Sequence, residues 1–78
     1  MTQLDTYNKV FIESFEISGD KLLGLKYQGV EAWDSVGHMG LIATLEEAFH
    51  IELSSDDIVE FSSYEKGKEI LSHYGITL

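Results

Sequence analysis

The 78-residue chain has no cysteine, no proline and no arginine. Without cysteine it can form neither disulfides nor thiolate metal sites, a usage that fits a reducing compartment. A domain this small buries a modest share of its surface, so helix packing must supply the staple that cross-links would otherwise provide. Positive charge is scarce: fourteen acids stand against five lysines, for a net charge of −9. Nucleic-acid binding needs basic side chains against the phosphates, and this composition argues against it. No apolar run approaches the roughly 20 residues of a membrane span. The N-terminus, with Asp5 and no basic cluster, lacks the layout of a signal peptide. A single domain over 1–78, cytoplasmic, monomeric and without a membrane span, is the expectation.

What charge there is lies unevenly. Between Tyr27 and Tyr64 there are eight acids (Glu31, Asp34, Glu46, Glu47, Glu52, Asp56, Asp57 and Glu60) and no lysine. The flanks are nearly balanced, so one half of the molecule should attract basic partner surfaces, although the same acids would serve solubility.

Helical periodicity dominates the chain, and strand alternation is weak. Thr2 with Asp5 can cap a first helix whose stripe is Leu4, Tyr7, Phe11 and Phe15, ending near Ser18-Gly19. Residues 19–33 read as a long connection, with room for a helical turn at Asp20–Leu25, whose apolar residues fold back onto the core. Asp34 can cap a second helix reaching about His50. Leu41, Ile42, Leu45, Ala48 and Phe49 share its inner face, with His38 at the edge. Val36, Met39, Ala43, Glu46 and Glu47 point largely outward. Ser54 with Asp57 caps a short third helix through Ile58, Val59 and Phe61. Ser62 with Glu65 repeats the pattern for a fourth, with Gly67, Ile70, Leu71 and Tyr74 inside and Gly75 at its stop. The expected fold class is all-α, a small four-helix bundle of three longer helices and one short one.

Asp34-Ser35-Val36 is the segment that points to chemistry. A serine at a helix N-terminus lies in the field of free N–H groups that favours an anion, such as a phosphodiester on its oxygen. Asp34 and Ser35 would equally serve as a plain helix cap. The run Trp33-Asp34-Ser35-Val36-Gly37-His38-Met39, then Leu41-Ile42, then Leu45-Glu46-Glu47-Ala48-Phe49, resembles the attachment region of the acyl carrier protein family. The likeness continues through Ile51, Leu53, Asp56-Asp57-Ile58 and the closing helix from Ser62 to Tyr74, essentially the whole chain.

This resemblance implies an acyl-carrier-like bundle without an enzymatic reaction of its own. A phosphopantetheinyl transferase would attach 4'-phosphopantetheine from coenzyme A to Ser35, with Asp34 positioning the site. The arm's thiol would then carry an acyl or aminoacyl thioester to acyl-loading and acyl-accepting enzymes with basic surfaces. Val36, Met39, Glu46 and Glu47 would form the surface those partners read. Val36 replaces the family's usual leucine, Gly37 and Gly40 stand where fatty-acid carriers commonly show acids, and His38 replaces a small polar residue. These departures favour a carrier dedicated to a specialised pathway. A general fatty-acid carrier and an unmodified helical interaction module are the alternatives.

Other chemistry fits the residues poorly. Ser35, His38 and Asp34 lie close in sequence, yet adjacent Asp and Ser cannot build the order in which aspartate orients histidine and histidine activates serine. No Gly-x-Ser-x-Gly elbow is present. Asp56, Asp57 and Glu60 lack the calcium-loop spacing and read as helix-cap acids. His50 and His73 read as surface residues, and Trp33 as core. His38 reads as a surface or core-edge residue, with contact to the arm's phosphate as its functional alternative. Leu41, Ile42, Leu45 and Phe61 are the expected surroundings of any interior cavity.

Overall fold

The computed structural model describes residues 2–78, which form four helices: α1 (Gln3–Phe15), α2 (Ser35–Phe49), α3 (Ser55–Glu60) and α4 (Tyr64–Ser72). Three are longer and one is short, and no strand occurs among the described residues, so the fold is small and all-α as the periodicity predicts. No helix among them is long and apolar enough to cross a membrane.

Local chemistry starts each helix. Thr2 and Asp5 form a reciprocal capping box on α1, each side chain accepting the other's backbone N–H at 3.1 Å. These hydrogen bonds hold the Asp5 carboxyl below its usual range, the bond from the Thr2 N–H contributing most. Ser54 accepts the Asp57 N–H at 3.2 Å and starts α3. At α4 the cap is Ser63, accepting the Lys66 N–H at 2.9 Å, one residue later than the Ser62–Glu65 spacing predicts. Both serines suit the role. A distant contact decides between them: the Ser62 carbonyl accepts the Tyr27 N–H at 2.8 Å, which keeps Ser62 extended and outside the helix.

The end of α1 departs further from expectation, while α2 reaches His50 as expected. Helix α1 stops at Phe15, because Glu16 turns left-handed with φ of 53°, and Gly19 instead begins a 3₁₀ turn over Gly19–Lys21. His50 ends α2 in the same way, with φ of 56°. Left-handed backbone is strained for residues with a Cβ and free for glycine. Glu16→Gly and His50→Gly should therefore each stabilise the fold by about 1 kcal/mol, read as a higher urea midpoint at unchanged slope. Helix α4 ends at Ser72, and the turn after it takes Gly75 at φ of 82°, with the Ile76 N–H returning to the Leu71 carbonyl at 3.2 Å.

Helices α1 and α2 pack against each other, and the buried set draws on every segment except α3. Tyr7, Phe11 and Phe15 come from α1; Leu41, Ile42 and Leu45 from α2; Tyr64, Ile70 and Leu71 from α4. Val10, absent from the expected α1 stripe, is buried too, while Ala48 on the expected inner face of α2 is exposed. The long connection supplies Leu22, Leu25 and Trp33 to the core, but Leu23 is left 80% exposed. Two backbone bonds fasten this connection to the α3–α4 junction: Tyr27 N–H to Ser62, and Tyr64 N–H to the Leu25 carbonyl at 2.9 Å. So fastened, the connection delivers Trp33, Asp34 and Ser35 to one end of the fold.

Candidate functional site

The start of α2 is built from a buried anchor followed at once by an exposed serine. Trp33 has no solvent exposure and packs against Phe15 and Phe11 at centroid distances of 5.2 and 5.6 Å. Its backbone closes the connection, donating to the Val30 carbonyl at 3.1 Å and accepting from the Gln28 N–H at 2.9 Å. Asp34 then takes extended backbone, and its Oδ1 accepts the Gly37 N–H at 2.8 Å, satisfying one of the free donors of the first turn. Ser35, the first residue of α2, is exposed. Asp34 is therefore engaged as the cap and Ser35 is not.

Beside Ser35 runs an open groove of about 350 Å³ between α2 and α3, lined by Tyr27, Ser35, His38, Met39, Ile58, Val59, Phe61 and Ser62. Its rim is apolar and uncovered: Val59 is 81% exposed and Met39 54%. Val36 is also 81% exposed, so the outward placement expected of Val36 and Met39 holds. Exposed apolar side chains gathered at one place mark an interaction surface more often than scattered ones do.

The two acids expected on that surface differ. Glu47 is exposed and lies on the Val36 side of α2. Glu46 is half-buried, and its Oε2 accepts the Leu53 N–H at 2.9 Å, which ties the end of α2 to the segment leading into α3. Glu52, Asp56 and Glu60 are exposed as well. The ion pairs among the described residues are Lys9–Glu13 at 4.0 Å and Lys66–Glu69 at 3.7 Å, all four residues lying outside the acidic stretch. The acids of this stretch are thus not offset by any ion pair among the described residues.

His38 sits at the core edge, as its place on the wheel predicts, and both of its nitrogens are occupied. Trp33 Nε1–H donates to Nδ1 at 2.9 Å, and Nε2–H donates to the Ile58 carbonyl at 2.8 Å. A histidine held this way has no free nitrogen for a phosphate and none with which to activate Ser35. Of the four residues expected around an interior cavity, Phe61 alone borders the groove. Leu41, Ile42 and Leu45 are packed behind it at 0–1% exposure.

Asp57 and Tyr74 complete the support of α3. The Tyr74 hydroxyl donates to Asp57 Oδ2 at 2.5 Å and accepts the Ser54 N–H at 3.1 Å. Tyr27, Ile58, Val59 and Ser62 belong to the groove although the sequence does not single them out as site residues. Val59 carries no sequence signal, because α3 is only six residues long. Comparison with protein-family models, with curated proteins and with solved structures returns no match.

Proposed function

We propose that the protein is an acyl carrier protein, holding 4'-phosphopantetheine on Ser35 and presenting an acyl or aminoacyl thioester to partner enzymes. One observation carries the reading. The serine that matches the family's attachment position is exposed at the start of a 15-residue helix, beside an apolar groove, while its neighbour Asp34 makes the cap. Had Ser35 been the capping side chain, its oxygen would be committed to the backbone. The residues present also fit the group chemically. A phosphodiester at this place would lie at the positive end of α2, and the groove offers apolar surface for what the arm bears.

In the attachment step, the Ser35 hydroxyl oxygen forms a bond to phosphorus in coenzyme A. The phosphoanhydride bond breaks, adenosine 3',5'-bisphosphate leaves, and the hydroxyl proton passes to the transferase or solvent. The chain's own residues supply presentation rather than catalysis: Trp33 anchors the turn, Asp34 holds the first turn of α2, and Val36, Met39 and Glu47 face the approaching enzyme. Partners with basic surfaces would be drawn by the acids of α2 and α3, an effect on encounter rate more than on affinity. Glycines at 37 and 40, in place of the acids of fatty-acid carriers, favour a carrier dedicated to one specialised pathway over the general carrier of fatty-acid synthesis.

Incubation with coenzyme A and a broad-specificity phosphopantetheinyl transferase tests the assignment by intact mass. Wild type should gain one phosphopantetheinyl group, and Ser35→Ala should gain none. An unchanged wild-type mass against a positive-control carrier would leave the unmodified interaction module as the better reading.

A further inference from the structure

One of the side chains lining the groove beside Ser35 is pinned at both of its polar atoms. His38 bonds through Nδ1 to Trp33 of the long connection and through Nε2 to the Ile58 carbonyl of α3, so one imidazole joins three segments of the chain. The rings of Tyr27 and Phe61 flank it at centroid distances of 5.6 and 6.1 Å. A half-buried imidazole among aromatic rings is unfavourable unless its polar atoms are paired. Here both are, and the buried indole N–H of Trp33 depends on the same contact.

Helix α3 has no buried residue of its own, so its place against α2 depends on such attachments. Moving it away from His38 breaks the Ile58 bond, and moving His38 with it strips the Trp33 N–H of its acceptor. A buried donor without a partner carries its full desolvation penalty. A path from Ser35 into the core is therefore closed at His38. The open surface on the solvent side, along Met39 and Val59, remains available.

Resting on the carrier reading, we propose that His38 is a positioning residue that seals the fold beside Ser35. An acyl chain borne from Ser35 then lies in the Met39–Val59 groove and stays out of the core. The groove's volume of about 350 Å³ is within the range of pockets for small ligands and admits a chain of medium length. What the protein favours in its cargo is thus set by a surface groove open to partner enzymes.

Octanoyl-coenzyme A and the same transferase supply the loaded carrier, and intact mass confirms the added group before anything else is measured. Methyl NMR spectra of the octanoyl and unacylated arm-bearing forms are then compared. Wild type should show shifts at Met39 and Val59 and none at Ile42, Leu45 and Leu71. In His38→Ala the octanoyl-dependent shifts should extend to Ile42 and Leu45, a result that simple loss of stability would not produce. Shifts at Ile42, Leu45 or Leu71 in loaded wild type, or no shift at Met39 and Val59, would overturn the proposal while leaving the carrier function intact. Absence of any added mass would instead sink the carrier reading. A measurement on the unmodified protein stands apart from both: exchange of the Trp33 indole N–H with solvent should be slow in wild type and faster in His38→Ala. Fast exchange in wild type would show that the seal does not hold.

Discussion

Gly67→Ala should remove about 1–3 kcal/mol of stability, even though it replaces glycine inside a helix. Gly67 is buried on the inner face of α4. A β-carbon there would lie within 3.0 Å of the Tyr7 hydroxyl and of two atoms of the Phe61 ring, closer than real β-carbons come to their neighbours. The groups it would displace are not free ends. Phe61 is 1% exposed, and Tyr7 is fully buried and donates its hydroxyl to the Tyr64 carbonyl at 2.7 Å. Burial holds the Tyr7 hydroxyl far above the usual phenol range, so it remains a neutral donor. Overpacking a close-packed core costs about 1–3 kcal/mol, and losing the Tyr7 bond adds about 1 kcal/mol. The better helix propensity of alanine returns about 1 kcal/mol, so the steric effect wins. A chain of this size has on the order of 4–12 kcal/mol to lose. Urea unfolding should show a much lower midpoint for Gly67→Ala. A midpoint at or above wild type would mean that α4 can slide away from α1 without penalty.

The same glycine shows where the sequence is legible and where it is not. The four helices, the caps of the first three and most of the buried face follow from local rules: Thr2 with Asp5, Asp34, Ser54 with Asp57, and the stripe of Tyr7, Phe11 and Phe15. Spacing places Gly67 on the inner side of α4, and contact with Tyr7 and Phe61 explains why the position has no side chain. Contacts distant in sequence are not encoded in any local pattern. The Tyr27–Ser62 bond moves the α4 cap to Ser63, and the Leu53 N–H turns Glu46 from an outward acid into a tether. His38 is visible as a core-edge residue, but its two partners lie 5 and 20 residues away, beyond the reach of a wheel. At the candidate site, Ser35 and the outward Val36 and Met39 follow from cap position and face. The α3 wall of the groove does not, because a six-residue helix has too few turns for its periodicity to tell inside from outside.

Two glycines three residues apart in α2 should respond to alanine with opposite signs. At Gly40 a β-carbon meets nothing within 4 Å, so Gly40→Ala should gain the propensity difference of about 1 kcal/mol. At Gly37 the β-carbon would fall inside the contact shell of the Ala32 carbonyl oxygen, with the carbonyl carbon at 3.1 Å. That obstacle is backbone, and it cannot rotate aside. Ala32 immediately precedes the buried Trp33, whose backbone closes the connection through Val30 and Gln28. Either the first turn of α2 opens, losing the Asp34 cap at about 1 kcal/mol, or Trp33 is dragged from a site whose complete loss is worth about 3–5 kcal/mol. Partial relief by both routes places Gly37→Ala near 3 kcal/mol of destabilisation, against a propensity gain of about 1 kcal/mol. The site should register the difference as well. Gly37→Ala disturbs the turn that presents Ser35, and on the carrier reading it should slow phosphopantetheinyl uptake under conditions where the variant is still folded. Gly40→Ala, alone on the open face of the helix, should leave that uptake unchanged. Equal effects of the two substitutions on stability would show that Gly37 is not held by the loop. In that case the presentation of Ser35 would rest on the Asp34 cap alone.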